Sequence, residues 1–474
     1  VHSKFSAVDL AFCFARFTPK LAVMQKYRSS FRVQKTALIA AAAGCLALSF
    51  ASPIQAAVAD EGGEEAPVGY CPRPGTEIVA DGTPEPTSRA SEELAVQRSD
   101  TAAEDGLPVL EDAQDNALRV ATFDAELSRK QPGQLFEELS APGTDDATDV
   151  ARVVQTVRPD VLVLTGIDTD AGDNVAKAFN ANYFAVGGDD HTGITYPYRY
   201  TAQSNAGVES GADLDRNGVI GGAGDALGHG DFPGQSSMIV YSKYPMDTDN
   251  IRDFTSLPWK SMPDSSMPES FTDLERDILP LASVSHWDVP IEVDGETLHV
   301  LASSAADASQ NAYDRARNHD QIRFWQDYVE TDADYILDHR GNRGPLDDDA
   351  AFVIAGSLKA DPQGDGPADS KAISNLLDSD AITDPEPTTT LASSALRNAV
   401  LSGGGQSQYD TAPTPTNTSQ TYRADYVLVS SGQAITDSGV LETGEQADSA
   451  NGLLGMQSND GAHQMVWADI ALND

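Results

Sequence analysis

Seven short apolar runs rich in Val, Ile and Leu punctuate the second three-quarters of the chain. They are Leu118 to Phe123, Val161 to Leu164, Met238 to Tyr241, Leu298 to Ala302, Phe352 to Ala355, Tyr426 to Val429 and Met465 to Ile470. Each has the length and the β-branched content of a buried strand. Between some of them the period changes to that of a helix. Val150, Val153, Val154 and Val157 recur at i, i+3, i+4 and i+7, with Pro159 closing the helix. Ile322, Trp325 and Val329 make a second stripe, and Ile373, Leu376 and Leu377 a third. Trp325 and Trp467 fall at helix and strand spacing and read as core. The connections at Gly188 to Gly234 and Asp384 to Thr421, rich in Gly, Ser and Pro, are expected to carry loops on one rim. No internal repeat is visible. Strands interleaved with helices over residues 118–474 predict one large α/β domain.

The segments before Leu118 read differently. From Met24 the chain carries Lys26, Arg28, Arg32 and Lys35, then an uncharged apolar run from Ala37 to Phe50, then small residues that allow cleavage after Ala56 or Ala59. This is the pattern of a secretory signal. The run is short for a bilayer span of about 20 residues, so a cleaved segment over 1–59 is expected, leaving no transmembrane anchor in the mature chain. Val1 to Val23 lie upstream of Met24 and are given no structural role. Cys45 raises a lipidated cysteine as an alternative, but the apolar run continues past it to Phe50. Residues 60–117, rich in acids, Pro, Gly and Ala, are expected to be a disordered linker. Only Cys71 of the three cysteines survives cleavage, so the mature chain has no internal disulfide and depends on its core.

Charge narrows the partners. The full chain carries a formal −42; residues 1–59 hold seven basic residues and one acid, so their removal leaves −48. Such a surface repels phosphate backbones, which makes nucleic acid an unlikely partner, and suits divalent cations or an extracytoplasmic partner of basic character. Common catalytic constellations are absent from the sequence: no Walker A loop, no His-Glu-x-x-His, no Cys-x-x-Cys, no Gly-x-Ser-x-Gly.

An ordered series of short words carries more. It runs Leu-Arg-Val-Ala-Thr-Phe at 118–123, Arg-Pro-Asp-Val-Leu-Val-Leu at 158–164, Phe-Pro-Gly-Gln at 232–235, Ser-His-Trp-Asp at 285–288, Arg-Asn-His-Asp at 317–320, Phe-Val-Ile-Ala-Gly at 352–356 and Arg-Ala-Asp-Tyr-Val-Leu at 423–428. With Tyr-Pro-Tyr-Arg at 196–199 and the Asp-Leu-Asp-Arg-Asn-Gly segment at 213–218, this series resembles secreted bacterial members of the endonuclease/exonuclease/phosphatase superfamily, which have the fold of deoxyribonuclease I. The resemblance implies an α/β sandwich: two mixed β-sheets packed face to face with flanking helices, four layers in all. It also implies hydrolysis of phosphoesters with a divalent metal, Mg2+ or Mn2+.

Carried over position by position, the resemblance implies a degenerate site. Asp124 stands where the family has a metal-holding asparagine, and Gly166 where it has the principal metal-ligating glutamate. Ser304 replaces a histidine that contacts phosphoryl oxygens. Ser357 and Lys359 replace the aspartate and asparagine of Gly-Asp-Leu-Asn, and a serine is a poor base at neutral pH. Ala462 replaces the acid beside the retained His463, which is thereby expected to lose the group that orients and charges it; a local shift returning Asp460 to that role is the alternative. Six of seven positions are changed, so the fold is expected to persist as a pseudoenzyme that has lost its Mg2+/Mn2+ site. Asp124 facing Lys359 would make an ion pair in place of the metal. In the alternative, a rearranged hydrolase site uses Asp124, Asp168, Asp425 and His463.

The remaining candidates lie apart. Asp213, Asp215, Asn217, Gly218 and Ile220 match the first eight positions of a calcium loop, with Asp225 as the missing carboxylate; the competing reading is an Asx-turn in a Gly-rich loop. His286, His319 and Asp425 are candidates to line the cleft, although hydrogen bonds tying strand to helix explain the histidines equally well. Arg317 is the candidate oxyanion ligand, because its planar guanidinium suits phosphate. Three functions remain: a non-catalytic envelope or extracellular binding protein, a metal-dependent phosphoester hydrolase, and a calcium-dependent adhesion module.

Overall fold

The structure, a computed structural model, describes residues 110, 112–113, 117–188, 192–311, 313–330, 333–388, 409–415, 417–441 and 463–472. The signal segment, most of the linker, Asp460 and Ala462 lie outside the described residues.

The strands in chain order are β1 (Leu118–Leu127), β2 (Val161–Ile167), β3 (Tyr198–Tyr200), β4 (Ser237–Ser242), β5 (Arg252–Asp253), β6 (His286–Val293), β7 (Glu296–Ser304), β8 (Ala351–Ser357), β9 (Ile382–Thr383), β10 (Ala412–Thr414), β11 (Asn417–Tyr422), β12 (Asp425–Ser430), β13 (Ala434–Leu441) and β14 (Met465–Ala471). Two six-stranded sheets form, ordered β13-β14-β1-β2-β4-β3 and β5-β6-β7-β8-β12-β9, and β10 and β11 make a separate hairpin. Each large sheet is mixed. One parallel pair, β1 with β2 or β7 with β8, sits among antiparallel neighbours. The principal helices are α1 (Gln134–Leu139), α2 (Asp145–Val157), α3 (Asn174–Phe179), α4 (Asp273–Ile278), α5 (Asp314–Glu330) and α6 (Ser370–Leu377).

Three apolar cores follow from the alternation of side chains along the strands. On β1 and β2, Val120, Val161 and Val163 face the second sheet, where they meet Val300, Ala302, Val353, Ala355, Val427 and Val429. Ala121, Phe123, Leu162 and Leu164 point the other way, onto the valines of α2 and onto Phe179 of α3. Leu301, Ile354 and Leu428 do the same on the far side, against Ile322 and Trp325 of α5 and Ile373 of α6. Three interfaces separate four layers, as expected. Trp325 and Trp467 are both buried. None of the described helices is long and apolar enough to cross a membrane.

The seven anticipated strands and three anticipated helices are all present. Strand β6 departs from the pattern because Pro290 interrupts its apolar run, and a proline removes a ladder donor. It is tolerated because β5 reaches β6 only at Trp287 and Asp288, which leaves Pro290 beyond that pairing. Arg158 closes α2 in the left-handed conformation, its N–H bonded to the Val154 carbonyl, so Pro159 needs no donor.

Candidate functional site

The inner-face alternation that buries valines between the sheets ends in polar residues at one rim. On the second sheet Ser304 pairs with Ser357 and Ser357 with Asp425, so the three form a row across β7, β8 and β12. They continue the inner-face series of Ala302, Ala355 and Val427. On the first sheet Asp124 pairs with Thr165 and continues the series from Val120. His463 lies two residues before β14, the strand whose Val466 pairs with Thr122. The described family positions therefore converge at one end of the sandwich.

The exchange at Gly166 has a steric counterpart. A β-bulge falls between Asp124 and Leu127, and Gly166 there has φ +65°. A Cβ on residue 166 would lie 1.8 Å from Asp124 Oδ1 and 2.8 Å from its Cγ. The Asp124 carboxyl, which also accepts the Glu126 N–H at 3.3 Å, occupies the room that a side chain at 166 would need. Glycine suits the left-handed backbone angle, and a side chain at 166 would require the Asp124 carboxyl to turn aside.

His463 has not lost its acid. Its Nδ1 lies 2.7 Å from Asp425 Oδ2, and the same oxygen accepts the Thr411 hydroxyl at 2.8 Å. Thr411 Oγ1 in turn accepts the N–H groups of Ala424 and Asp425, and its carbonyl takes the Gln464 N–H. The expectation that His463 is left without an orienting acid is corrected: the acid comes from β12, across the fold, not from position 462. Burial opposes the charged imidazole, but the charges of Asp425 and Asp124, the Asp425 hydrogen bond and the charge of Glu126 outweigh it, raising His463 to about 9. Glu126 was not anticipated. It keeps exposed surface, yet desolvation of its carboxyl, then the charges of Asp124 and Asp425, push it up to about 7 against the pull of His463. Its place two residues after Asp124 on a strand is the signal that would have found it.

Lys359 forms no ion pair with Asp124 among the described residues. Its backbone is left-handed at φ +54° and its N–H bonds the Ala424 carbonyl; against burial, the Ser309 hydrogen bonds and then the charge of Lys359 hold Asp307 below the usual carboxylate range. The expected Asp124–Lys359 pair is replaced by the pairing of Asp425 with His463. Ser357 Oγ and Asp425 Oδ1 are buried and have no hydrogen-bond partner among the described residues.

Other candidates serve the scaffold. Arg317 is fully buried and donates to the carbonyls of Leu227, Pro280, Leu281 and Ala282 at 2.7–3.0 Å. Its guanidinium is spent on backbone, which corrects its reading as an oxyanion ligand. His286 stacks on Trp325 with centroids 5.2 Å apart and lies 3.3 Å from the Gln321 carbonyl; burial pushes it down to about 4, so it is neutral. His319 is held by Asp320 and Ser266. His286 ties β6 to α5, and His319 ties α5 to the segment at Ser266. Asp168 accepts the N–H groups of Arg129 and Ser236, closing the loop after β2.

The Asp213 segment brings a second set of acids together. Oxygens of Asp213, Asp215 and Asp225 lie within 4.8 Å of one another, and among the described residues this is the one such group of His, Cys, Asp or Glu side chains. Asp225 is fully buried and accepts the N–H groups of Leu214, Asp215 and Gly221. Asn217 Oδ1 accepts the Val219 N–H, while its amide donates to Asp215. Val219 and Ile220 are exposed at 66% and 64%, unlike the apolar eighth residue of a standard calcium loop, which packs inward.

The two mixed sheets, their outer helices and a polar site at the strand ends define an α/β sandwich with the site built at one rim. A sequence model of the endonuclease/exonuclease/phosphatase family matches residues 133–448, and the chain belongs to that family. The matched span lies between Asp124 and His463, so those two positions rest on the structure. Among solved structures the chain is similar to an endonuclease/exonuclease/phosphatase from Beutenbergia cavernae, at 16% identity over 76% of this chain and 72% of that one, TM-score 0.39. It is also similar to a family protein from Leptotrichia buccalis (11% identity, 75% and 100% coverage, TM-score 0.40). A third is sphingomyelinase C from Streptomyces griseocarneus (16% identity, 74% and 99% coverage, TM-score 0.37). No curated protein sequence matches the chain.

Proposed function

We propose that this chain is an exported, non-catalytic member of its family that acts as a binding or structural protein of the cell envelope. The observation that carries the reading is Gly166, which offers no side-chain ligand where the resemblance places the family's glutamate. That loss speaks against the family's Mg2+ or Mn2+. Export rests on the basic and apolar pattern from Met24 to Ala59. The strong negative charge disfavours nucleic acid as partner. Calcium is assigned to the Asp213, Asp215 and Asp225 group, with an oxygen-only ligand set suited to that ion.

The test is an assay of bis-p-nitrophenyl phosphate and p-nitrophenyl phosphate with Mg2+, Mn2+ and Ca2+. No turnover above background is expected. Turnover abolished by His463→Ala would overturn the reading in favour of a second one, a metal-dependent phosphoester hydrolase with a rearranged site. The intact pair of His463 and Asp425 supports that second reading, because a carboxylate-held histidine is the form a general acid takes.

A further inference from the structure

We propose that the cleft between the Asp213 loop and the starts of α4 and α5 binds a saccharide residue. This names a ligand class for the binding role proposed above and rests on that reading. The cleft holds about 240 Å³, just below the range of about 300–1,000 Å³ that suits drug-sized ligands, and takes one pyranose ring. Two helix starts build its buried part. Phe271 stands directly before Thr272, whose capping box opens α4, and Tyr313 directly before α5; their rings meet edge to face with centroids 5.3 Å apart. The exposed side chains of Asp215 and Arg216 line the same cleft, with Pro268 and Asn311. The observation that points to a ligand is the Tyr313 hydroxyl. Tyr313 is only 6% exposed, yet its hydroxyl has no hydrogen-bond partner among the described residues, where a buried phenol normally finds one. Burial first, then the charges of Asp314, Asp225 and Asp215 against that of Arg317, push it up to about 12, so it keeps its proton and is able to donate.

Charge and hydrogen-bonding capacity select the class. An anion entering the cleft meets Asp213, Asp215 and Asp225, whose oxygens lie within 4.8 Å of one another, while Arg216 already faces Glu275 at 3.6 Å. A cation suits the acids but offers no acceptor to the Tyr313 hydroxyl or the Arg216 guanidinium. A hydroxyl both donates and accepts. Neighbouring sugar hydroxyls donate to Asp215 and accept from Tyr313 and Arg216, while the apolar C–H surface of the ring meets Phe271. Asp215 is held in place for this role: Asn217 donates its N–H to one oxygen at 3.0 Å and its side-chain amide to the other at 2.8 Å.

The test is saturation-transfer NMR on the full chain with glucose, galactose, mannose and N-acetylglucosamine, run once with calcium and once with a chelator. At least one of these sugars is expected to bind in one of the two conditions. Tyr313→Phe keeps the ring and, because the hydroxyl has no partner within the described chain, breaks no internal hydrogen bond. It should leave the melting temperature unchanged and weaken the sugar about fivefold, as the loss of one hydrogen bond does. Asp215→Ala should weaken it about tenfold, since a bond to a charged acceptor is stronger. Sugar binding that neither substitution alters would overturn the proposal, as would no binding in either condition. Tetramethylammonium bound in place of every sugar, and displaced by Asp215→Ala, would overturn it in favour of an organic cation. A blank sugar titration beside a blank phosphoester assay sinks this proposal and spares the non-catalytic reading; a bound sugar beside phosphoester turnover does the reverse.

Discussion

Two acid-rich regions of one chain treat charge in opposite ways. In the loop from Asp213 to Asp225, three carboxylates come within 4.8 Å of each other, and among the described residues no cationic side chain pairs with them; Arg216 turns to Glu275 and the Ser270 carbonyl instead. At the rim of the sandwich, Asp425 holds His463 at 2.7 Å, and against burial the charges of Asp425, Asp124 and Glu126 raise its pKa to about 9. Backbone N–H groups hold the loop acids in place, whereas at the rim an imidazole pairs with Asp425. Acids brought together without a counter-charge repel one another and favour an ion from solution. Acids with an internal counter-charge do not. The family likeness points to the rim for ion chemistry, and the electrostatics point to the loop.

The largest effect that would sharpen this contrast concerns Arg317. It donates to Leu227, two residues after Asp225, and to the carbonyls of Pro280 and Ala282, so it fastens the loop's far end to α5. Arg317→Ala leaves several buried carbonyls unsatisfied and is expected to cost about 4 kcal/mol by chemical denaturation. Calcium affinity should fall with it, while the titration of His463 stays unchanged. A variant with native calcium affinity would break the link drawn between Arg317 and the loop.

Next in size is calcium itself. At a hundredfold excess over its dissociation constant, an ion bound only by the folded state stabilises by about 2.7 kcal/mol. A matching rise in melting temperature is expected for the native chain and not for Asp225→Asn, as read by scanning calorimetry. A flat response in the native chain would return the loop to an Asx-turn without a ligand.

The rim gives a pH signature of smaller size. His463 is raised from its ordinary 6.5 to about 9 in the fold, so its contribution is fully present below pH 6.5 and is lost as pH rises through about 9. Discounted for its residual solvent contact, the loss is about 1–2 kcal/mol. Glu126, raised from 4.5 to about 7, adds a loss of the same sign at lower pH. Proton NMR of the imidazole should show His463 titrating near 9, and in Asp425→Asn falling back toward its ordinary value with the alkaline loss diminished. An unperturbed titration in the native chain would contradict the charge balance. His286, pushed down to about 4, supplies a control of opposite sign, since its contribution is present above pH 6.5 and is lost as pH falls.

The smallest effect is expected at Lys359, whose side chain makes no ion pair with Asp124. Lys359→Asn, which suits the left-handed backbone at φ +54°, should change stability by no more than about 0.5 kcal/mol and leave Mn2+ uptake as it was. A larger loss would revive the Asp124–Lys359 pair.

Much of the fold was legible from periodicity. The inner strands are apolar on both faces and β-branched, and α2 shows its valine stripe directly, so local pattern and tertiary packing agree. What escaped was made legible only by long-range pairing. The acid that serves His463 lies 38 residues upstream, on a strand of the other sheet, and no spacing rule connects the two. Thr411, which braces that acid, gives no local signal at all. Arg317 read as a phosphate ligand because its chemistry suits one; burial among backbone carbonyls assigned it otherwise. The acids of the Asp213 loop, Asp225 among them, were legible because their spacing is local, and the fold adds that both Asp225 oxygens are fixed by N–H groups.

The most direct measurement of the central claim is anomalous X-ray scattering from crystals of the chain soaked in Mn2+. The account predicts one anomalous peak per chain between Asp213, Asp215 and Asp225, and none between Asp124, Glu126, Asp425 and His463. A peak at the rim, with His463 still in place, would contradict it.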